Sequence, residues 1–517
     1  MDRKRVLWAD DEIDLLRPHV LFLQERGYDV TPVTNGDDAI AHVTRDNFDV
    51  VLLDEQMAGK NGIATFAEIK ALRPGLPTVM ITKHEEEHLM EEAIGRQIDD
   101  FLTKPVNPSQ ILLVLKKLTE ASQISRDRLA REYLSQFNEI SSLIAGGSRW
   151  QDWIDVHLKM SGWEMELDRY PELGLGEVLQ DQRNQCNLEF GRFIEDQYLK
   201  WIRGQEPPPL SVDIVKWQVA PHLKAGRKVL FLVIDCLRLD QYLALEPLLL
   251  DLFTIRRDYY YSILPTSTPY SRNALFSGLF PIELEKHYPD LWKRSEDDES
   301  SSNRFEHQLL DQQLARLGVG MKSDSKYVKI LDPEEADSVE RKVASYYSQP
   351  LVSMVFNFVD ILAHARANSD VIKEMVRNEA SYRAVTRSWF EHSSLFNILR
   401  AYASQDVVVV LTSDHGSIRS QRGSKVISDK DASTNLRYKY GRNLKCEDKH
   451  ALFIRDPEVY KLPRRGLNVN YIIAKEDYYF VYPTNFHKYI NLYRNSFQHG
   501  GISLEEMVLP VITMEPK

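Results

Sequence analysis

The sequence of 517 residues is poor in cysteine and has no long apolar run. Its three cysteines, Cys186, Cys236 and Cys446, are scattered and odd in number, which excludes a disulfide scaffold and fits a reducing compartment. A membrane-spanning helix needs roughly 18 or more consecutive apolar residues, and no window reaches that length. The first residues run into a strand-like segment without the apolar stretch of a signal peptide. We therefore expect a cytoplasmic protein without a membrane span.

An excess of positive charge is also absent, since the formal net charge is −11 and the pI is about 5.8. This excludes a protein that coats nucleic acid through its backbone charge. No helix-turn-helix pattern with a basic second helix is visible, so we do not expect direct sequence-specific DNA binding. Composition is that of a globular protein, with 43% hydrophobic and 27% charged residues. At about 150 residues per domain the length predicts two to four domains.

Residues 1–120 alternate short apolar strands with helical patterns, which predicts a doubly wound parallel α/β sheet. Four strands end on polar groups that should meet at one edge of this sheet: Asp10 with Asp11, Asp54, Thr82 and Lys104. Three carboxylates together favour Mg²⁺, an oxygen-seeking cation. Asp54 could then attack a phosphoryl group whose oxygens bond to the threonine hydroxyl and the lysine ammonium.

This region resembles the receiver domain of two-component response regulators over residues 3–120. The resemblance rests on the paired acids Asp10 and Asp11, on Asp54 followed by Met57 and Gly62, on Thr82, and on Lys104–Pro105. It implies that Asp54 is the phosphoacceptor, that Asp10 and Asp11 serve Mg²⁺, that Phe101 is the switch aromatic, and that a sensor histidine kinase is the partner. Two positions depart from the pattern. Ala58 stands where the family often has proline, and Lys83 follows Thr82 where a small residue is usual, which could alter the dephosphorylation rate.

Residues 121–206 show helical spacing of apolar positions, from Leu129 to Ile144 and again from Leu188 to Ile202. The spacing predicts a helical bundle whose aromatic stripe is core packing rather than a cofactor site. The stripe contains Phe190, Phe193, Ile194, Trp201 and Ile202, with Trp150, Trp153 and Trp163 adding bulk. Three consecutive prolines, 207–209, cannot continue a helix and mark the last domain boundary.

Residues 207–517 form a third domain in which strands again end on acids and histidines. The run Val407–Thr412 reads as a buried strand and stops at Asp414, His415 and Gly416, where the glycine is expected to permit a bend. Six side chains of this kind follow four strands: Asp235, Asp360, His364, Asp414, His415 and His499. They suffice for two cations, and mixed imidazole and carboxylate ligands suit Zn²⁺ or Mn²⁺.

Residues 265–278 supply hydroxyls ahead of a predicted helix, including Thr266 and Thr268. Metal coordination lowers the pKa of a threonine hydroxyl enough for attack on phosphorus, and the helix N-terminus offers N–H groups to phosphate oxygens. Arg272 could offset the extra charge of a phosphomonoester, and Asn273 is a further candidate substrate contact. Without the metal ligands, the hydroxyls would simply cap a helix.

With those ligands the region resembles the PglZ branch of the alkaline phosphatase superfamily over residues 211–517. The resemblance implies one metal held by Asp235, Thr268, Asp414 and His415, and another held by Asp360, His364 and His499. It also implies that Thr268 is the nucleophile, with Thr266 as the second choice. The order of receiver, helices and PglZ domain resembles that of PorX-type response regulators of the type IX secretion system, which implies control of secretion through a sigma factor or a secretion-machinery protein.

Two loops bear on what enters the site. Residues 296–303 are acidic and polar, and we expect a solvated or disordered loop there. The segment Arg419–Lys445 holds eight Lys or Arg against two Asp, with Tyr438 and Tyr440 interleaved. It could close over the metals and hold a nucleotide, although a plain solvated loop is equally compatible.

Two functions therefore remain open. In the first, phosphorylation of Asp54 regulates a two-metal phosphodiesterase that acts on nucleotides or oligonucleotides. In the second, the metal centre is structural, and the protein is a non-catalytic adaptor that dimerises on phosphorylation and binds other proteins.

Overall fold

The structure, a computed structural model, describes residues 3–82, 98–145, 149–292, 303–321, 324–429 and 432–517. Its contacts divide the chain into two compact units, Met1–Ser135 and Gln136–Lys517. Lys83 and most of the acidic loop at 296–303 lie outside the described residues. No described helix combines the length and the apolar character that crossing a membrane requires.

The first unit is a parallel sheet with helices on both faces, as its alternating pattern predicts. Its strands are β1 Lys4–Ala9, β2 Tyr28–Val33, β3 Val50–Asp54, β4 Thr78–Thr82 and β5 Asp100–Thr103, in the order β2-β1-β3-β4-β5. The described helices are Arg17–Gln24, Gly36–Arg45, Gly62–Leu72 and the start of Pro108–Ala145. Alternate residues of β1 enter opposite cores, since Val6 and Trp8 pack in one cluster and Leu7 and Ala9 in the other. The strand ends therefore meet at one edge, where the acids lie.

In the second unit, the middle of the chain is helical, as predicted, with Trp150–Leu167 and Gly176–Trp201 as its long helices. The aromatic stripe is core. Phe190 is fully buried and its ring lies 5.3 Å from that of Trp153, while Trp201 packs edge-on at 5.1 Å from Tyr261. Because Tyr261 ends a strand of the C-terminal sheet, these helices share their core with that sheet.

The C-terminal domain is built on a six-stranded mixed sheet. Its strands are β6 Lys228–Ile234, β7 Phe253–Tyr261, β8 Lys326–Ile330, β9 Leu351–Phe356, β10 Val407–Thr412 and, after the smaller strands given below, β18 Val508–Pro516. Their order is β7-β18-β10-β6-β9-β8, in which β10, β6, β9 and β8 run parallel and β18 runs antiparallel to both of its neighbours, β10 and β7. Every residue of Val407–Thr412 is buried, which confirms the predicted core strand. The carboxyl ends of β6, β9 and β10 lie side by side.

Short strands complete the domain: β11 Ile418–Arg419, β12 Arg422–Lys425, β13 Tyr438–Gly441, β14 Ala451–Ile454, β15 Asn470–Ala474, β16 Tyr478–Val481 and β17 Phe497–Gln498. They form the pairs β11-β17 and β12-β16 and the sheet β13-β15-β14. The described helices are Ala220–Lys224, Leu239–Leu245, Thr268–Ser277, Pro281–His287, Glu306–Arg316, Pro333–Lys342, Phe358–Asn368, Asp370–Met375, Glu379–Glu391, Ser394–Tyr402, Phe486–Tyr493 and Leu504–Met507.

Candidate functional site

The receiver acids lie together at the carboxyl edge of their sheet. Asp10 follows β1 and Asp54 ends β3, and ligand oxygens of Asp10, Asp11 and Asp54 lie within 4.8 Å of one another. Lys104 donates from Nζ to Asp54 Oδ2 at 2.8 Å and lies 3.0 Å from Asp10 Oδ2. Burial raises the pKa of Asp54, and the charge of Asp10 adds to this effect while Lys104 opposes it. Three acids facing one ammonium carry excess negative charge, which a divalent cation would offset.

The two predicted switch residues, Thr82 and Phe101, lie on the neighbouring strands β4 and β5. Thr82 is buried and donates from Oγ1 to Glu55 Oε2 at 2.5 Å. Phe101 is half-buried and packs against the core cluster on one face of the sheet. Glu55 was not predicted from the sequence, although its position directly after the strand-end residue Asp54 indicates that it lies near this site. All five predicted polar groups thus reach the same edge, with Phe101 on the adjoining strand.

The first candidate metal site of the second unit lies at the ends of β6 and β10. Asp235, Asp414 and His415 are all buried, and their ligand atoms lie within 4.8 Å of one another. His415 Nε2 is 3.6 Å from Asp235 Oδ1 and 3.7 Å from Asp414 Oδ2. Cys236, which follows Asp235 at a positive φ of 65°, donates its backbone N–H to Asp414 Oδ1 at 3.3 Å. That left-handed turn joins the two strand ends.

Hydrogen bonding fixes the tautomer of His415. Its Nδ1 lies 3.1 Å from the carbonyl oxygen of Gly416, which can only accept, so Nδ1 carries the proton. The lone pair of the neutral ring is then on Nε2, the atom that faces the two aspartates. Burial lowers the pKa of His415, which favours the neutral ring. Gly416 itself does not take a positive φ. It is required because a Cβ there would lie 1.9 Å from the carbonyl oxygen of Glu505.

The second candidate site adjoins the first. Asp360 and His364 lie four residues apart on the helix Phe358–Asn368, and His499 follows β17. His364 Nε2 lies 3.0 Å from His499 Nε2, and Asp360 Oδ1 is 3.4 Å and 3.5 Å from these two nitrogens. The rings of His415 and His499 stack with their centroids 4.3 Å apart. The six predicted ligands therefore form two neighbouring groups of three.

The two candidate nucleophiles differ in their surroundings. Thr268 is the first residue of the helix Thr268–Ser277, and its Oγ1 lies 2.9 Å from His415 Nε2. Thr266 instead donates from Oγ1 to the carbonyl of Gly501 at 2.7 Å and accepts from the N–H of Gly500 at 3.2 Å. Its hydroxyl is thereby committed to the loop after His499. The geometry brings Thr268, not Thr266, to the aspartates and His415.

The expected substrate contacts of Arg272 and Asn273 do not match their surroundings. Arg272 is 1% exposed and donates to Asp235 Oδ2 at 2.5 Å and to Glu306 Oε1 at 2.6 Å. Asn273 is equally buried and donates from Nδ2 to the carbonyl of Pro269, within its own helix, at 2.9 Å. Arg272 therefore holds Asp235, a predicted metal ligand, instead of facing solvent, because two carboxylates occupy its guanidinium. Glu306 carried no distinguishing signal in the sequence.

The basic segment Arg419–Lys445 is less available for ligands than its composition suggested. Arg437 is fully buried and pairs with Glu506, while Arg422 pairs with Glu476. Lys439 donates to the carbonyls of Ser433 and Asn435 at 3.0 Å and 2.9 Å. Three of its cations thus stabilise the fold. Within the segment, residues 430 and 431 lie outside the described part of the chain.

Unsatisfied carboxylate oxygens test whether the first site suits a cation. Asp235 Oδ1 and Asp414 Oδ2 are buried and have no hydrogen-bond donor among the described residues. Burial raises the pKa of Asp235 well above its usual value, against the opposing charge of Arg272, and it raises that of Asp414 as well. Arg272 is the cation at this carboxylate pair, and Glu306 shares its guanidinium, so excess negative charge remains for a divalent cation to offset. The donor set therefore fits a metal ion of the zinc type.

Three family models match consecutive parts of the chain. The response regulator receiver domain matches residues 6–116, the PorX response regulator linker domain matches residues 123–202, and the BREX system PglZ alkaline phosphatase-like domain matches residues 214–514.

Curated relatives and solved structures are similar over a smaller part. Transcriptional regulatory protein ResD of Bacillus subtilis (strain 168) is 33% identical over 122 residues, 23% of this chain and 50% of ResD. ZraR of Salmonella typhimurium is 32% identical over 137 residues, 26% of this chain and 31% of ZraR. This chain thus spans half or less of the length of these relatives. A CheY-like receiver domain protein from Methanospirillum hungatei JF-1 shares 27% identity at a TM-score of 0.22, covering 23% of this chain and 98% of that one. The receiver domain of NtrX from Brucella abortus shares 31% identity at a TM-score of 0.21, covering 22% and 98%.

A receiver fold followed by an alkaline phosphatase-like α/β domain defines the class of protein, a response regulator of a two-component system with an enzyme-like output domain. The linker match lies between these two domains. The chain belongs to the PglZ alkaline phosphatase-like family, whose model covers more than half of it, in the architecture of a PorX-type response regulator.

Proposed function

We propose that the output domain is a two-zinc phosphodiesterase, with Mn²⁺ as an alternative metal, in which Thr268 is the nucleophile. One observation carries the proposal. Thr268 Oγ1 lies 2.9 Å from His415 Nε2, the nitrogen that faces Asp235 and Asp414. The group Asp360, His364 and His499 lies beside it and would hold the second ion. A purely structural metal site would not require a hydroxyl at this position.

The chain's own residues would perform the reaction as follows. Bound zinc ions supply Lewis acidity, which lowers the pKa of the threonine hydroxyl and offsets charge on the phosphate. Thr268 Oγ1 would lose its proton and form a bond to phosphorus while the bond from phosphorus to the leaving alkoxide breaks, and the alkoxide would take up a proton. Water would then add to phosphorus, the bond from phosphorus to Oγ1 would break, and Oγ1 would regain a proton as a phosphomonoester leaves. Arg272 holds Asp235 in place, and the Gly416 carbonyl holds the His415 ring in its orientation.

The charges around the site favour a diester over a monoester. A phosphomonoester carries an additional negative charge, and Arg272 does not offset it because Asp235 and Glu306 engage its guanidinium. Lys329 approaches the same carboxylate, with Nζ 3.7 Å from Glu306 Oε2. One lysine that is already partly paired is a weak counter-charge for a dianion.

A nucleotide or oligonucleotide substrate is supported by a cationic and aromatic group formed by Arg465, Tyr440 and Tyr270. Arg465 has no ion pair among the described residues, and its guanidinium lies 4.3 Å from the centre of the Tyr440 ring. Its Nη2 also lies 3.4 Å from the hydroxyl of Tyr270, two residues after Thr268. An arginine next to tyrosines suits a ligand that combines negative charge with a stacking ring.

Turnover assays with the full chain test the proposal. Zinc-loaded protein is expected to hydrolyse cyclic and linear dinucleotides and nitrophenyl phosphodiesters, and chelation is expected to abolish this activity. Thr268→Val should lose turnover while its metal content stays close to that of the wild type. A zinc-loaded protein that leaves the whole panel of diesters intact would contradict the proposal.

We further propose that a sensor histidine kinase phosphorylates Asp54 with Mg²⁺ held by Asp10 and Asp11, and that the phosphorylated form is a homodimer. Thr82 is bonded to Glu55 in the present state, so a phosphoryl group on Asp54 offers its hydroxyl a new partner. Phe101, on the adjoining strand, would follow that movement. Light scattering with and without beryllofluoride should show a mass increase in the wild type and none in Asp54→Asn. An equal mass in both states of the wild type would exclude phosphorylation-driven dimerisation.

The alternative function is a non-catalytic adaptor that binds a sigma factor or a secretion-machinery protein. We also propose that the protein is cytoplasmic, that it controls type IX secretion, and that its domains are residues 1–120, 121–206 and 207–517. Thr268→Val separates the two functions in cells. Loss of secretion with folding, metal and dimerisation retained supports the enzyme, and normal secretion supports the adaptor.

A further inference from the structure

One side chain of the linker helix Gly176–Trp201 is bonded to the segment that supports both histidine-bearing loops. We propose that Asn187 is a positioning residue for the metal centre, acting through Glu505 on the backbone around His415 and His499. The inference rests on the proposed metal centre. The linker domain would then contribute to ion binding by this centre and would not act only as a spacer.

The amide of Asn187 is used at both ends. Its Nδ2 donates to Glu505 Oε2 at 3.0 Å and lies 3.3 Å from Oε1, and its Oδ1 accepts from the N–H of Leu504 at 2.8 Å. Asn187 is 3% exposed and Glu505 is 2% exposed. Because its donor and acceptor ends both have partners, the amide fixes the position of the short helix Leu504–Met507 relative to the linker helix Gly176–Trp201.

The backbone of Glu505 and Glu506 lies directly behind the first metal group. A Cβ on Gly416 would come within 1.9 Å of the Glu505 carbonyl oxygen, and Gly416 donates its N–H to the Glu506 carbonyl at 3.2 Å. The same Gly416 presents its own carbonyl to His415 Nδ1 at 3.1 Å. A displacement of Glu505 therefore moves the residue that sets the orientation of the His415 ring.

The side chain of Glu506 supports the loop that follows His499. Its Oε1 accepts from the N–H of Gly501 at 2.8 Å, and its Oε2 accepts from Ser503 Oγ at 2.8 Å and pairs with the buried Arg437. Gly501 is two residues after His499. The short helix Leu504–Met507 thus supports the loop of His415 in the first group and the loop of His499 in the second.

A buried charge network keeps Glu505 ionised. Arg183, on the same linker helix, lies 3.5 Å from Glu505 Oε1 and also pairs with Glu164 and Glu379. Burial favours the protonated form of Glu505, but the charge of Arg183 lowers its pKa below the usual value. Removal of the Asn187 amide therefore leaves a buried carboxylate and the Leu504 N–H without one partner each, and the turn must adjust.

Metal binding by the full-length protein tests the inference. Asn187→Ala is expected to weaken zinc affinity by about 10-fold or more, as loss of a group behind a metal ligand commonly does, and to alter the visible spectrum of the Co²⁺-substituted protein. Asn184→Ala is the matched control, because Asn184 is an exposed asparagine one turn earlier on the same helix. It is expected to match the wild type in affinity and spectrum.

A rescue pair separates positioning from general damage to the fold. Asn187→Asp places like charges together and should weaken zinc binding, whereas Asn187→Asp combined with Glu505→Gln restores a donor and an acceptor and should recover at least part of the affinity. Wild-type zinc affinity and Co²⁺ spectrum in Asn187→Ala would overturn the inference, as would a double variant no better than Asn187→Asp. A wild-type protein that binds no zinc would refute the proposed metal centre itself.

Discussion

The pair Thr266→Val and Thr268→Val separates the role of a nucleophile from that of a loop anchor. Valine keeps the shape of threonine and removes the hydroxyl. Thr266→Val strips partners from two buried backbone groups, the Gly501 carbonyl and the Gly500 N–H. At roughly 1–3 kcal/mol for each unsatisfied buried group, the free energy of unfolding should fall by about 2–6 kcal/mol. Thr268→Val removes one contact to His415, so its loss should be about 1 kcal/mol.

Activity should follow the opposite order. Thr268→Val is expected to lower kcat for a phosphodiester by at least about 10³-fold, a barrier increase of roughly 4 kcal/mol, and excess zinc should not restore it. Thr266→Val disturbs the loop after His499, so we expect a higher zinc requirement and substantial turnover at saturating zinc. Steady-state kinetics across a zinc series, with urea unfolding in parallel, measures both effects. Full turnover in Thr268→Val together with none in zinc-saturated Thr266→Val would refute the assignment.

Three further predictions concern other side chains. Burial lowers the pKa of His157 to about 4 from 6.5, so the unfolded state binds the proton first as pH falls. The free energy of unfolding should therefore drop by about 3 kcal/mol between pH 6.5 and 4. In urea unfolding, His157→Gln should lose this dependence of the free energy on pH, and an unchanged dependence would contradict the account. Lys329→Met should lower kcat/KM for monoesters and for diesters by similar factors, within about 2-fold of each other, because its Nζ is already partly paired with Glu306. A monoester loss several-fold larger than the diester loss, absent from the exposed control Lys326→Met, would show that Lys329 offsets the charge of a dianion and would refute this account. Lys104→Met should raise Mg²⁺ affinity, because the Lys104 ammonium competes with the cation for the receiver carboxylates. The variant should also show no increase in mass with beryllofluoride. Calorimetry showing weaker Mg²⁺ binding would count against this account.

The strand-end positions of the reactive groups could be predicted from the sequence because they depend on local pattern. An apolar run that stops at an acid is visible for Asp54, Asp235 and Asp414, and parallel strands bring their carboxyl ends to one edge. The spacing of Asp360 and His364 likewise predicted one helix face, and the structure has both on the helix Phe358–Asn368. These positions need only element type and direction.

The directions of long charged side chains could not be predicted in the same way. Arg272 points to Glu306, 34 residues later, and Arg437 points to Glu506, 69 residues later. Nothing in the residues around each arginine indicates such a partner, because the pairing depends on tertiary packing and on the need to neutralise buried charge. Reading Arg272 as a substrate contact and Arg437 as part of a ligand-binding flap followed from composition alone.

Gly416 depends both on local sequence pattern and on tertiary packing. Sequence pattern predicted a bend after β10, yet the constraint is the close approach of the Glu505 carbonyl from the other end of the domain. Since Glu505 is held by Asn187 and its neighbour Glu506 holds Gly501, the two metal groups depend on one shared support. Each group also contributes one ring to the stacked histidine pair, so displacement of that support would disturb both groups together. The buried position of this support, remote in sequence from both the linker helix and β10, explains why no local pattern revealed it.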